Sequence, residues 1–168
     1  MNINGAMKVL NQIGINDEDF LNAVISFKGA SKRLELIVKN NNTQIFKDFA
    51  HSPSKLKATI NAVKNQFPDR KLVACIELHT FSSLNKEFLQ QYKGCMDNAD
   101  YPVVYYNPKT IEHKKLQPIT KEDIISAFDN NLLNVFTQSN EVVSFLKSIN
   151  WHNKNLLLMT SGNFDGII

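Results

Sequence analysis

Asp48-Phe49-Ala50-His51-Ser52-Pro53 puts a carboxyl group, an imidazole and a hydroxyl side by side. The apolar, β-prone run Thr43-Gln44-Ile45-Phe46 precedes this segment, and a long helical pattern starts near Pro53. The acid and the imidazole therefore stand where a strand ends and a helix begins. In open α/β sheets ligands bind in the crevice at the carboxyl ends of the strands. Ser52 is suited to cap the helix and Pro53 to its first position. The free N–H groups and the dipole of such a terminus favour an anion, for example a phosphate. A capped surface turn, with Asp48 and His51 merely solvated, fits the same residues.

Two further strand ends carry polar groups. Glu77-Leu78-His79-Thr80-Phe81-Ser82-Ser83 offers an acid, an imidazole and hydroxyls, and within the end segment Thr160 to Asn163 the run Ser161-Gly162-Asn163 can bring backbone N–H groups near an oxyanion. In a parallel sheet all three ends converge on one edge, which locates a site without naming a reaction. His51, His79, His113 and His152 are scattered and lack the i, i+4 spacing of a helix-borne zinc site, so no metal is expected on them. The sequence has no G-x-S-x-G nucleophile elbow, no G-x-G-x-x-G and no G-x-x-x-x-G-K-[ST] phosphate loop. If the domain handles ATP, the main phosphate cradle lies elsewhere.

The elements that must position these groups follow from periodicity and punctuation. Asn4 to Ile13 and Asp17 to Ser26 read as a short helical pair, separated by Gly14 and capped by Asn16. Such a pair cannot bury both faces alone. Leu34 to Val38 and Thr43 to Phe49 flank the turn signal Asn40-Asn41-Asn42 and predict a hairpin, which brings Arg33 near Asp48–His51 if the register is regular. Helices over Lys55 to Phe67, Asn85 to Tyr92, Thr120 to Asp129 and Glu141 to Ile149 then alternate with strands over Leu72 to Glu77, Pro102 to Tyr106, Leu132 to Phe136 and Leu156 to Met159. Lys109 to Gln117 reads as a charged connector. The alternation implies an α/β fold: a doubly wound, mainly parallel sheet with an antiparallel edge hairpin, preceded by the helical pair. The one candidate boundary is near Phe27, giving segments 1–26 and 27–168.

The 168 residues suffice for one core, and the composition is that of a globular protein. The net charge of +3 is small and the basic residues are dispersed, which argues against a nucleic-acid partner. Cys75 and Cys95 have no CxxC spacing and read as free thiols in a reducing cytoplasm. No apolar stretch reaches membrane-spanning length, and a cytoplasmic location without membrane contact is expected. Trp151 and the Tyr105-Tyr106 pair could serve as stacking platforms but fit core packing or a covered strand end better; Met159 and the phenylalanines read as core, and Lys114-Lys115 as a solvated loop.

Three segments together resemble the carboxy-terminal domain of the Mur ligases, which build peptidoglycan precursors. Phe27-Lys28-Gly29-Ala30-Ser31-Lys32-Arg33-Leu34-Glu35 is similar to the family's F-x-G-v-x-x-R-x-E. Asp48-Phe49-Ala50-His51-Ser52-Pro53 is similar to D-[YF]-[AG]-H-x-P, and Ser161 to Ile167 to the closing S-x-G-x-F-x-G-I of the muramate-binding branch. The resemblance runs from about Phe27 to the end, and residues 1–26 look like the end of the family's central, ATP-binding domain. It implies a Rossmann-like domain of an ATP-dependent amide ligase. A substrate carboxylate is phosphorylated, an amine attacks the acyl phosphate and phosphate leaves, with Mg²⁺ on the phosphates. By the same resemblance Arg33 and Asp48 would contact nucleotide. His51 would be the catalytic residue facing the incoming amine and the intermediate. His79, Thr80 and Ser83 would bind that substrate. ATP and Mg²⁺ would be held mainly by the remaining domains, so the isolated chain is expected to be inactive.

The partners implied are UDP-N-acetylmuramate and an amino acid or peptide. His79-Thr80-Phe81-Ser82-Ser83 resembles the H-[RT]-[YF]-[ST]-R segment of alanine-adding members, but Ser83 stands where that pattern has an arginine suited to a carboxylate. This departure favours the recycled tripeptide L-alanyl-γ-D-glutamyl-diaminopimelate over L-alanine, although the recycling branch's own E-P-R-S-N segment is not well matched. A non-catalytic α/β binding domain is the alternative of another class.

Overall fold

The computed structural model of the chain describes residues 2–26 and 33–167. The chain divides into two compact units, residues 1–31 and 32–168. The expected boundary at Phe27, and the Phe27 to Lys32 part of the first motif, lie outside the described residues.

The first unit holds α1 (Asn2–Gln12) and α2 (Asp17–Ile25). Gly14 turns the chain at φ 90°, and the Asn16 side chain accepts the Asp19 N–H as N-cap. Val9, Ile13, Leu21 and Ile25 are exposed, so the pair leaves much of its apolar stripe uncovered.

The second unit is a six-stranded sheet in the order β1-β2-β6-β3-β4-β5. β1 (Glu35–Lys39) and β2 (Thr43–Asp48) form the expected antiparallel hairpin, with a register shift between Leu36 and Val38. β3 (Lys71–Leu78), β4 (Tyr101–Tyr106), β5 (Asn134–Phe136) and β6 (Lys154–Met159) are all parallel to β2 and to one another. α3 (Pro53–Gln66), α4 (Lys86–Leu89), α5 (Pro108–His113) and α6 (Lys121–Phe128) precede β3, β4 and β5, while α7 (Ser139–Ser148) returns the chain to β6.

Burial follows the two-residue strand period. Leu72, Ala74, Ile76 and Leu78 of β3 pack with Leu56, Ile60 and Val63 of α3 and Ile124 and Phe128 of α6. Val73 and Cys75 face the other way, into a cluster with Val142 of α7, Leu156, Leu158 and Phe164. β3 is buried on both faces, which is why its sequence is a continuous apolar run.

Three local expectations change. Lys109 to Gln117 is not a featureless connector, because it contributes most of α5. Asn107 accepts the Lys109 N–H and Pro108 occupies the first turn, but six residues are too few to show a period. Phe81 is 61% exposed rather than core, and the ammonium of Lys114 sits 4.0 Å from its ring centroid. Lys114 is thus not simply solvated. Tyr105 and Tyr106 are buried as expected, and the half-buried Trp151 donates its indole N–H to the Leu146 carbonyl. Thr120 and Asp123 form the reciprocal capping box that their spacing predicts.

Candidate functional site

The carboxyl ends of β2, β6 and β3 lie side by side, and hydrogen bonds stitch their loops into one rim. The Thr160 N–H donates to the Asp48 carbonyl at 3.0 Å. The Thr160 hydroxyl donates to Glu77 Oε2, which also accepts the Phe164 N–H at 3.0 Å. The three strand ends therefore converge as the sequence implies.

Asp48 is buried, and its carboxylate is largely occupied. It accepts the N–H groups of Leu34 and Ala50, each at 2.7 Å, and faces the Thr59 hydroxyl of α3 at 3.5 Å. The Leu34 bond ties the start of β1 to the end of β2 and brings the exposed Arg33 beside Asp48, despite the shift within the hairpin. A carboxylate has about four acceptor positions, so Asp48 has room for one more donor.

His51 is held from three sides. Its Nδ1 lies 2.8 Å from the Phe49 carbonyl, which makes Nδ1 the protonated nitrogen and leaves the Nε2 lone pair outward. Its own carbonyl accepts the Tyr92 hydroxyl at 2.6 Å, and its ring meets Phe49 edge-on. Tyr92 is fully buried and stacks on Phe128 of α6. Burial, followed by the charge of Cys95, pushes its phenol pKa upward, so it remains a donor. Ser52 occupies the N-cap of α3, but its side chain makes no capping bond, contrary to expectation.

The β3 loop uses its hydroxyls internally. Thr80 and Ser83 bond reciprocally, and Ser83 Oγ also donates to the Thr80 carbonyl at 3.1 Å. Ser83 is 1% exposed, so it braces the turn rather than presenting a free hydroxyl to a pocket. His79 is more open, with a side chain 43% exposed and Nδ1 3.8 Å from Glu77 Oε1.

The last loop spends two of its N–H groups within the protein. The Gly162 N–H donates to the Thr160 hydroxyl and the Phe164 N–H to Glu77. These groups do not form an empty oxyanion cradle; the anion they serve is the buried Glu77 carboxylate, directly or through Thr160. Ser161 Oγ is buried without a hydrogen-bond partner.

A second concavity, of about 650 Å³ at the opposite sheet edge, is lined by Asn40–Asn42, Trp151 and His152 and lies away from these groups. A crevice of about 440 Å³ does open on the rim, between the loops after β4 and β5. The chain leaves β4 toward the α3 side of the sheet and leaves β5 toward the α7 side. Such a parting of neighbouring loops is where doubly wound sheets take ligands. Tyr105, Asn107, Lys109, Gln138, Ser139 and Asp165 line it. Asp165 accepts hydrogen bonds from the Tyr105 hydroxyl and the Asn107 amide. Burial, then the Asp165 hydrogen bond and charge, raises the Tyr105 pKa and keeps its proton on. None of these is among the site residues expected from the sequence: Tyr105 reads mainly as core, Asp165 falls within the closing motif, and Asn107-Pro108 marks only a strand end. Among the described residues no group of three His, Cys, Asp or Glu side chains could hold a metal ion.

Residues 32–162 match the family described as Mur ligase, glutamate ligase domain. The chain belongs to this Mur ligase family. Its members are ATP-dependent ligases. A UDP-N-acetylmuramate–L-alanine ligase of Agathobacter rectalis is 30% identical over 161 residues, covering 94% of this chain and 34% of that protein. The solved UDP-N-acetylmuramate-alanine ligase of Thermotoga maritima superposes with a TM-score of 0.74 at 17% identity, over 98% of this chain and 34% of that one. The murein peptide ligase of Psychrobacter arcticus gives 0.69 at 24% identity, over 96% and 33%. Both likenesses are likenesses of fold. This Mur ligase domain spans about a third of the length of such relatives.

Proposed function

We propose that this domain receives the amine-bearing substrate of an ATP-dependent ligase that joins a peptide to UDP-N-acetylmuramate. Residues 1–26 would be the tail of its ATP-binding domain. The amine nitrogen attacks an acyl phosphate carbon, a C–N bond forms and phosphate leaves with the bonding electrons of the C–O bond. Bound Mg²⁺ would neutralise charge on the phosphates. The exposed Arg33 suits a phosphate or ribose, and the remaining acceptor position of Asp48 suits one ribose hydroxyl. His51, immobilised by Phe49 and Tyr92, would offer Nε2 to the substrate and the intermediate.

The observation that carries the choice of substrate is the length of the rim. Three strand spacings separate β2, which leads to His51, from β4, which leads to the crevice; at about 4.8 Å each they make roughly 14 Å. The crevice presents both Asp165 and Lys109, a pairing that suits a group bearing an ammonium and a carboxylate. L-Alanine cannot reach both places. A tripeptide has about 10 Å of extended backbone, lengthened here by its γ-linkage and the diaminopimelate side chain, and it can.

Titrating the isotopically labelled chain with L-alanyl-γ-D-glutamyl-diaminopimelate should shift the amide signals of Asn107, Gln138 and Asp165, whereas L-alanine should leave them unmoved. In the longer ligase that carries this domain, turnover should be faster with the tripeptide. Equal response to L-alanine in both measurements would defeat the assignment and favour the alanine-adding reaction.

A further inference from the structure

We propose that His79, oriented by the buried carboxylate of Glu77, takes the proton that the incoming ammonium must lose before it attacks. The proposal rests on the amide-ligase reading above. A peptide α-amino group has a pKa of about 7.7–8.0, so near neutral pH most of it has no free lone pair. A proton acceptor working near neutrality is required, and imidazole is the side chain suited to it.

Two imidazoles stand at the rim among the described residues. His51 points Nδ1 at a neutral backbone carbonyl. His79 points Nδ1 at a carboxylate, with 3.8 Å between Nδ1 and Glu77 Oε1. Glu77 is 3% exposed and cannot swing away. Its Oε2 is held by the Thr160 hydroxyl and the Phe164 N–H, and Gly162 closes over it. Oε1 is the oxygen that faces the ring. A carboxylate at Nδ1 selects the tautomer with its proton on Nδ1 and the lone pair on Nε2, and it stabilises the imidazolium that forms. At 3.8 Å the two atoms are beyond hydrogen-bond distance, and the contact must close when substrate binds.

β6 separates β2 from β3, so an ammonium held over the end of β6 lies between His51 and His79, about one strand spacing from each, with the rest of the peptide running on to the crevice. The step balances. One ammonium N–H bond breaks, an Nε2–H bond forms, and the freed lone pair makes the new C–N bond; as the tetrahedral intermediate collapses, a second N–H proton leaves with the departing phosphate, which takes the C–O bonding electrons. His79 then releases the proton to water. Glu77 touches no reacting atom and is a positioning residue.

Two measurements test this. Imidazole ¹⁵N spectra of the labelled chain, taken above the histidine titration range, should show His79 protonated on Nδ1 and bare on Nε2; a proton on Nε2 would overturn the proposal. This result is independent of whether the chain serves a ligase. In the longer ligase, His79→Gln should lower kcat roughly a hundred- to ten-thousand-fold at pH 7, with the tripeptide KM changed only a few-fold. The loss should shrink at pH 9.5, where the amine sheds its proton unaided. Glu77→Gln should give a smaller loss with the same pH trend. A loss equal at both pH values would refute the role. No turnover by the unaltered ligase with any amine would instead refute the functional reading beneath it.

Discussion

Gly162 lies so close to Glu77 that a Cβ at position 162 would sit 2.7 Å from Glu77 Oε2. The backbone there is not in the left-handed region, so the need for glycine is one of space. The atom in the way belongs to a buried carboxylate fixed by two other bonds and cannot easily yield. Gly162→Ala should therefore displace the closing loop and cost about 1–3 kcal/mol, as overpacking does. For a chain of this size that is a fall in Tm of very roughly 2–12 °C, measurable by thermal melting. An unchanged Tm would show that Glu77 is freer than its bonds suggest.

Tyr92 reaches His51 through a single 2.6 Å bond from a fully buried phenol. Tyr92→Phe keeps the ring stacked on Phe128 but leaves the His51 carbonyl without that donor. A loss of about 1 kcal/mol is expected from urea unfolding, with shifts of the His51 ring signals. Tyr92→Ala also empties the core and should cost about 3–5 kcal/mol.

Asp100 supplies the acid-sensitive contact on the far side of the sheet. Burial by itself would raise its pKa. The Lys64 hydrogen bond, the Leu72 N–H and the charges of Lys64 and Lys71 together outweigh burial and hold it below the ordinary carboxylate value. A group whose pKa is lower in the folded state stabilises the fold above its unfolded pKa, and that contribution is lost as pH falls through the folded value. Asp100→Asn should therefore weaken the protein at pH 7 and make its stability less sensitive to acid below about pH 4. Parallel urea titrations at pH 7 and pH 3 check this; identical acid dependence in both proteins would contradict it.

Cys75 is fully buried, and burial pushes its thiol pKa up to about 12. Burial also raises Cys95, with Lys57 opposing and Asp97 adding to the shift. Both thiols should resist alkylation at pH 8 in the folded chain and react fully in denaturant. Rapid labelling of Cys75 under native conditions would mean that β3 opens readily.

Much of this molecule is written in local pattern. The order of helices and strands, the edge hairpin, the caps at Asn16 and Thr120 and the meeting of three polar strand ends all follow from residue types a few positions apart. Each depends on a period or a cap that neighbouring residues complete among themselves. The strand Leu72 to Glu77 was legible because burial on both faces leaves an apolar run. The helix over Pro108–His113 was not, because six residues complete too few turns to reveal a face.

What the sequence could not carry was the destination of each polar atom. Asp48 and Glu77 look alike at two strand ends, yet one turns toward Thr59 of α3 and the other toward Phe164 on the α7 side. Ser83 resembled a ligand and proved to brace its own turn, while Asp165 and Asn107, 58 positions apart, meet at one crevice. The amino-acid order determined which elements form and that their carboxyl ends share an edge. Only the insertion of β6 between β2 and β3 decided which groups touch, since hydrogen bonding and close packing act on separation in space and take no account of separation along the chain.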